Sequence, residues 1–269
     1  MKVVLTIAGS DSSGGAGIQA DLKTFEAFGL FGTTAITVLT AQNTTGVDEI
    51  VPMEASFVKK QIRSIFEDFD VAAIKIGMLF NKEIIETVHD VIKDLSIPIV
   101  LDPVSISKAG SPLLEEDALE AMRTLFQHVT LITPNQYEAY SFFDYQHRNE
   151  KSFEMMQGIY TPVLVKHRIV ELSEGTFSVD TLHFHQEKRV FQTPLILTSN
   201  LHGTGCSYSS AITANLALGH TLEKSIAISK QFINDALKTA PNIGNGPGPI
   251  NHKKGGEYVE VAKRTLCHY

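Results

Sequence analysis

Short runs of β-branched residues alternate along this chain with longer segments of helical periodicity, and this alternation restricts the fold more than any other feature. It predicts a mostly parallel sheet with helices on both faces. The predicted strands are Val3–Ala8, Thr33–Leu39, Ala72–Ile76, Ile97–Leu101, Thr130–Thr133 and Val163–Lys166. The predicted helices are Ile18–Phe28, Ala55–Asp68, Lys82–Asp94, Glu115–His128, Thr204–Gly219 and Leu222–Ala240. From Glu171 to Gln192, shorter alternating runs predict one or two hairpins at the sheet edge.

Composition restricts the class of protein. A chain of 269 residues that is 43% apolar predicts one domain, 1–269, with a large core. A net charge of −7 argues against a nucleic-acid partner. The apolar start is too short for a signal peptide and no apolar run reaches the roughly 18 residues of a membrane span, so we expect a cytoplasmic protein that does not bind membranes. Cys206 and Cys267 lie too far apart in sequence to suggest a disulfide framework or zinc cluster.

A double-glycine turn opens the predicted helix at Thr204. Gly203 and Gly205 can take positive φ and allow close backbone approach of a ligand. The free N–H groups and positive dipole end of the helix favour an anion there. A thiol at a helix N-terminus has a pKa below its free value of about 8.5, so Cys206 could act as a base beside a phosphate group. The alternative is a tight turn before a buried, inert cysteine.

Polar and small residues follow the predicted strands at the edge where parallel sheets bind ligands. Gln42 at a strand end and Asp21 one turn into the first helix are candidate ligand contacts, and Gly9 and Met78 also lie at strand ends on this edge. Three of these residues have a simpler alternative, because Asp21 could be a solvated helix residue, Gln42 a turn cap and Met78 part of the core. The run Gly14–Gly17 lacks the spacing of a dinucleotide fingerprint, so we expect no dinucleotide.

Asn135 and Glu138 stand three residues apart after the fifth predicted strand. An asparagine N-cap with glutamate three residues later is typical of a capping box. The competing interpretation is that both residues orient a hydrated Mg²⁺, which prefers oxygen ligands and retains several waters. Both interpretations stay open at this point.

Seven motifs in order, between Val3 and His252, closely resemble the hydroxymethylpyrimidine and hydroxymethylpyrimidine phosphate kinases of thiamine biosynthesis, in the ribokinase-like superfamily. The first motif and the Gly-Thr-Gly-Cys motif are the most specific. The motifs are residues Ala8–Lys23, Thr40–Thr44, Lys75–Met78, Asp102–Val104, Thr133–Ala139, His202–Cys206 and Gly246–His252.

The resemblance implies a three-layer α/β/α sandwich, homodimeric, that uses ATP and Mg²⁺ to phosphorylate 4-amino-5-hydroxymethyl-2-methylpyrimidine and then its monophosphate. It implies that four residues contact the pyrimidine: Gly9, Asp21, Gln42 and Met78. It further implies a catalytic turn made of Gly203, Gly205 and Cys206. Asn135 and Glu138 would form a metal pair, and Lys166 and Thr204 would contact the nucleotide.

The chain also departs from the family pattern. The family continues the lysine as Lys-Gly-Gly-His, whereas His167 and Arg168 follow Lys166 here. The segment 142–161 is shorter than usual, which suggests a trimmed helix. Two alternatives follow. One is a pyridoxal or pyridoxine kinase, against which the segment Thr40–Asn43 argues, and the other is a catalytically weak sensor of thiamine precursors.

Overall fold

The computed structural model describes residues 1–105, 113–115, 117–145, 161–184 and 187–256. These residues form one nine-stranded sheet in the order β3-β2-β1-β4-β5-β6-β7-β8-β9. The strands are β1 (Val3–Asp11), β2 (Phe31–Asn43), β3 (Gly46–Pro52), β4 (Val71–Ile76), β5 (Ile99–Leu101), β6 (Leu131–Ile132), β7 (Val163–Leu172), β8 (Gly175–Phe184) and β9 (Glu187–Pro194).

The helices cover both faces of the sheet. They are α1 (Gly17–Ala27), α2 (Ala55–Asp68), α3 (Lys82–Ile92), α4 (Ala118–Thr124), α5 (Gln136–Phe143), α6 (Thr204–Ala217) and α7 (Leu222–Lys238), with a 3₁₀ turn at Phe126–His128. No helix in the described part of the chain combines the length and apolar character needed to cross a membrane.

Every predicted strand and helix is present, with ends that differ by a few residues. The predicted helix 115–128 is α4 followed by the 3₁₀ turn, and the predicted edge hairpins are β7 to β9. The prediction omitted β3, which pairs antiparallel with β2, because this short edge strand carries two acidic residues. Of the segment expected to be trimmed, residues 146–160 lie outside the described ranges.

Six neighbouring strands, β2, β1, β4, β5, β6 and β7, run parallel. The chain passes from β1 outward to β2 and then returns to the other side of β1 as β4. The strand order therefore reverses between β1 and β4. In open α/β sheets a ligand crevice forms at such a switch point, outside the carboxyl ends of the strands.

The core has two layers because side chains alternate across each strand. Leu5 and Ile7 pack on one face in a cluster that contains Val58 of α2 and Ile85 of α3. Val4 points to the opposite face, into a cluster with residues of α1, α6 and α7. This arrangement confirms the predicted sandwich.

Candidate active site

A cleft of about 500 Å³ lies at the carboxyl ends of the parallel strands, next to the switch point. Its walls come from β1, β2, β7 and the segments that follow β4, β5 and β6, together with the starts of α1, α5 and α6. Nine of the eleven predicted site residues line it, namely Gly9, Gln42, Met78, Asn135, Glu138, Lys166, Gly203, Gly205 and Cys206.

A smaller cavity of about 150 Å³ adjoins the cleft. The two share Asn135, Lys166, His167 and Gly205, so they form one continuous depression. The smaller cavity also contains Thr204, whose hydroxyl donates to the carbonyl of Leu201. Its remaining wall is largely apolar, with residues that include Pro194, Leu195, Ile196, Ile233 and Leu237.

The catalytic turn depends on the backbone of Gly203. This residue has a φ of +75° and is the N-cap of α6. A methyl group there would overlap the carbonyl oxygen of Gly15 and lie 2.8 Å from its carbonyl carbon. The expectation for Gly205 is wrong, because Gly205 is not among the glycines with positive φ. A methyl group on Gly205 would instead lie 3.5 Å from Lys166 Nζ.

Asp11 and His202 join the glycine-rich loop at residues 14–17 to the catalytic turn. Asp11 Oδ2 lies 2.7 Å from His202 Nε2 and accepts hydrogen bonds from the N–H groups of Gly15 and Ala16. Burial raises the pKa of Asp11, but the hydrogen bonds from His202 and Ser13 lower it overall, to about 2. Sequence reasoning did not assign either residue, although both occur in the motifs that carry the family resemblance.

The Cys206 thiol lies at the start of α6. Burial raises the pKa of Cys206 to about 11, although the positive charge of Lys75 lowers it and the backbone N–H of Gly17 contributes a further small lowering. The predicted lowering of the thiol pKa is therefore wrong, because loss of hydration outweighs the effect of the helix N-terminus. Cys267 lies outside the described residues.

Asp21 does not line the cleft, so the structure corrects its predicted contact with the pyrimidine. Its side chain is fully buried. Its Oδ2 accepts hydrogen bonds from Thr6 Oγ1 at 2.7 Å and Lys75 Nζ at 2.9 Å, and its Oδ1 accepts one from Ser210 Oγ at 2.7 Å. Asp21 is not a solvated helix residue either. The cleft is lined instead by its partner Lys75, which sequence reasoning had not assigned.

Gly9, Gln42 and Met78 surround the end of the cleft near β1 and β2. Gln42 is half-buried, and its Oε1 accepts a hydrogen bond of 3.2 Å from Thr40. A methyl group on Gly9 would lie 3.2 Å from the Met78 sulfur. Met78 also packs in a small apolar cluster with Val38. This end therefore combines an amide with an apolar wall.

Asn135 and Glu138 form the predicted capping box of α5. Asn135 Oδ1 accepts the Glu138 N–H at 2.9 Å, and Glu138 Oε2 accepts the Asn135 N–H at 2.8 Å. Burial raises the pKa of Glu138 to about 7; Lys166 opposes this shift and Asp102 adds to it. Lys166 Nζ lies 2.6 Å from Asp102 Oδ1.

These oxygen atoms fit a hydrated magnesium ion. The like charges of Glu138 and Asp102 repel each other in a buried site; Lys166 offsets part of this repulsion, and a second cation would relieve more of it. Across the described ranges, no group of three or more His, Cys, Asp or Glu side chains is arranged to hold a metal ion. An ion with few protein ligands and several waters suits magnesium.

The position after Lys166, within β7, has a glycine-like backbone although it is not glycine. His167 has a φ of +61° and lies where the pairing of β7 with β8 is irregular. Its N–H donates to Asp180 Oδ1 at 2.8 Å, and Asp180 Oδ2 pairs with Lys230 Nζ at 2.8 Å. The buried Asp180 thus holds in place a conformation that non-glycine residues rarely adopt.

The model of the phosphomethylpyrimidine kinase family matches residues 11–251. The chain is also 42% identical over 266 residues to the hydroxymethylpyrimidine/phosphomethylpyrimidine kinase of Haemophilus influenzae, an alignment that covers 94% of this chain and 97% of that relative. This chain belongs to the phosphomethylpyrimidine kinase family. The corresponding relative from Aquifex aeolicus is 40% identical over 251 residues, 91% of this chain and 97% of that relative.

Solved structures confirm the ribokinase-like fold of this family member. Phosphomethylpyrimidine kinase from Clostridium difficile 630 has a TM-score of 0.72 and 38% identity, over 88% of this chain and 100% of that chain. An ADP complex of Bacillus subtilis pyridoxal kinase has a TM-score of 0.82 and 32% identity, over 94% of this chain and 98% of that chain. The fold is therefore common to kinases named for two different heterocycles.

Proposed function

We propose that this chain transfers the γ-phosphoryl group of ATP to 4-amino-5-hydroxymethyl-2-methylpyrimidine and then to the resulting monophosphate, for thiamine pyrophosphate biosynthesis. The observation that carries the proposal is the continuous depression with the catalytic turn in its middle. Gln42 and Met78 lie on the cleft side of that turn, and the apolar cavity lies on the other. We also propose a cytoplasmic homodimer, on the resemblance alone.

The cleft end near Gln42 suits an aminopyrimidine. The ring offers an exocyclic amine donor and ring-nitrogen acceptors, and a glutamine amide provides both an acceptor and donors. Gly9 leaves room for close approach, and Met78 offers an apolar surface for the ring and its methyl group. Gln42 therefore decides which heterocycle binds.

The smaller cavity suits the nucleotide. Its apolar wall can contain the base, while Thr204 and Lys166 stand where it opens into the cleft. The polyphosphate would then extend along the N-terminus of α6, where free N–H groups and the helix dipole favour negative charge. Lys166 adds a buried positive charge there.

Asn135 and Glu138 would hold the magnesium ion through its water shell. A magnesium ion bound there would neutralise charge on the β- and γ-phosphates. The protein's own contribution is to keep Glu138 oriented through the capping box, since its Oε2 is fixed by the Asn135 N–H. The second oxygen of Glu138 accepts a longer hydrogen bond, 3.4 Å, from the Ser105 N–H.

In the first transfer, the hydroxymethyl oxygen attacks the γ-phosphorus, the bond from the γ-phosphorus to the bridging oxygen breaks, and ADP leaves. The Cys206 thiolate accepts the hydroxyl proton. The α6 N-terminus stabilises the negative charge on the transferred group. Because the thiol pKa is about 11, the thiolate is a minor species at neutral pH, and the rate should rise with pH across the neutral range.

In the second transfer, the nucleophile is a phosphate oxygen that already carries negative charge, since the second phosphate pKa is about 6. No proton has to be removed at neutral pH. Cys206→Ala should therefore slow phosphorylation of the alcohol by about 10²–10⁴-fold and slow phosphorylation of the monophosphate much less. Cys206→Asp should recover part of the first activity.

Turnover of each substrate with Mg-ATP, followed by ADP release, measures this difference. Equal losses in both steps would assign Cys206 a packing role. A wild-type rate in Cys206→Ala with the alcohol would exclude it as the base.

A pyridoxal kinase activity is the second candidate, favoured by the TM-score of 0.82 with the Bacillus subtilis enzyme. Gln42→Leu should reduce kcat/KM for the pyrimidine by up to about 10⁴-fold, because it leaves buried polar groups unpaired. Pyridoxal turnover should change much less. If wild-type protein prefers pyridoxal, the pyrimidine assignment is wrong; tight pyrimidine binding without turnover of either compound would instead indicate a sensor.

A further inference from the structure

A buried pair of opposite charges lies beneath the cleft and takes no part in the mechanism above. Lys75 on β4 and Asp21 on α1 are both completely buried, with 2.9 Å between Lys75 Nζ and Asp21 Oδ2. Thr6 and Ser210 complete the hydrogen bonding of the carboxylate. The desolvation of two such ions costs several kcal/mol each, and a well-packed apolar pair is often at least as stabilising. Stability alone therefore gives little reason for this pair.

Two helices bring this pair to the catalytic turn. Gly17 and Asp21 are four residues apart on α1, and Cys206 and Ser210 are four residues apart on α6, so each pair lies on one helix face. Ser210 Oγ donates to Asp21 Oδ1 at 2.7 Å and so joins these two helix faces. The facing sides of α1 and α6 thus place Cys206 one turn away from the Asp21 site.

Lys75 is the member of the pair that lies against the wall of the cleft that Cys206 also lines, although its side chain has no exposed surface. Lys75 Nζ packs close to the backbone of Gly77, since a methyl group added at Gly77 would lie only 2.5 Å from it. Asp21, with both oxygens occupied inside the protein, cannot offer either one to a ligand without breaking these bonds. Lys75 is therefore held in place from below.

We propose that Lys75, paired with Asp21, places a positive charge beside Cys206 and thereby stabilises the thiolate that receives the substrate proton. Lys75 and Asp21 are positioning residues in this proposal: the Lys75 charge favours the thiolate, whereas the Asp21 charge balances Lys75 inside the protein and opposes the thiolate. The inference rests on the proposed function, in which Cys206 is the base for the first transfer.

The signs of the charges around Cys206 make the proposal testable. Burial raises the pKa of Cys206 most, Lys75 lowers it, and Asp21 and Asp102 raise it. Lys166 on β7 also interacts electrostatically with the thiol. Loss of the Lys75 charge and loss of the Asp21 charge should therefore move the thiol pKa in opposite directions.

The test measures the thiol directly. In a Cys267→Ser background, iodoacetamide alkylation of Cys206 is followed by mass spectrometry between pH 7 and pH 11. Lys75→Met should slow alkylation at a fixed pH by about tenfold, which corresponds to a rise of about one pH unit in the thiol pKa. Asp21→Asn, which preserves side-chain size, should speed alkylation. In Lys75→Met the kcat of the first transfer should fall, and its pH-rate profile should shift to higher pH.

Shifts in the same direction, or none in either variant, would overturn the proposal, since a purely structural pair has no reason to give opposite signs. If Lys75→Met does not fold, Asp21→Asn decides alone, and an unchanged or slower alkylation rate refutes the idea. Ser210→Ala is the matched control, because it removes a hydrogen bond to Asp21 without a charge and should leave the alkylation profile unchanged. Absence of pyrimidine turnover in the wild type would refute the proposed function, whereas the alkylation profiles would still test the pair.

Discussion

Gly203→Ala is the sharpest test of how strictly this active site depends on its backbone. Gly203 has a φ of +75°, a conformation that costs an L-residue about 1–2 kcal/mol. The new methyl group would also overlap the Gly15 carbonyl oxygen. Overpacking of this kind costs about 1–3 kcal/mol more, and it forces the turn and the first loop apart.

The displacement should affect catalysis more than stability. A shift of about 1 Å in groups that position a reaction can cost about 10²-fold in rate. The loss of an oxyanion-type donor has a similar cost, about 10²–10³-fold. We therefore expect kcat/KM for the alcohol to fall at least 10²-fold in Gly203→Ala, measured by ADP release, and the free energy of unfolding to fall by about 2–5 kcal/mol, measured in urea.

Gly29→Ala is the matched control. Gly29 has nearly the same φ, +73°, but no atom of the described residues lies within 4 Å of the position that a methyl group would occupy there. It should lose only the backbone contribution of about 1–2 kcal/mol and retain wild-type kinetics. The reasoning is wrong if the two variants have equal stability, or if Gly203→Ala turns over at the wild-type rate.

Three further predictions concern single positions. Gly205→Ala should leave the melting temperature unchanged but lower kcat/KM at least tenfold. The reason is that its methyl group would lie 3.5 Å from Lys166 Nζ, in the space proposed for the phosphates. A fall in melting temperature with normal kinetics would contradict this. His167→Gly should be nearly neutral in urea denaturation, whereas His167→Val should cost about 1–2 kcal/mol, since φ is +61° there; equal stabilities would refute strain at this site. Burial lowers the pKa of His252 to about 4, below its usual 6.5, so its contribution to stability is present above pH 6.5 and is lost as pH falls towards 4, up to about 3 kcal/mol. In urea titrations across that range His252→Asn should lose this part of the pH dependence, and an unchanged slope would contradict it.

Local sequence patterns determined the layers of this fold and the location of its site. Alternation of strand and helix segments predicted the parallel sheet, and strand ends are close in any such sheet. Gly9 and Gln42 could therefore be placed at one edge from the strand pattern, whereas the turn at Gly203 and Gly205 was assigned to the same site only by the family resemblance. The capping box of Asn135 and Glu138 was also readable, because its partners are three residues apart.

Only the tertiary structure decided which side chains face the cleft and which charges are buried. Asp21 is turned away from the cleft by Lys75, which is 54 residues distant in sequence, and by Ser210, which is 189 residues distant. The Cys206 thiol has a raised pKa because α1 and the strand ends remove water from it, an effect that the helix N-terminus alone does not reveal. Helical periodicity and turn residues act within a few positions of the chain, whereas desolvation and ion pairing depend on segments that meet only after folding.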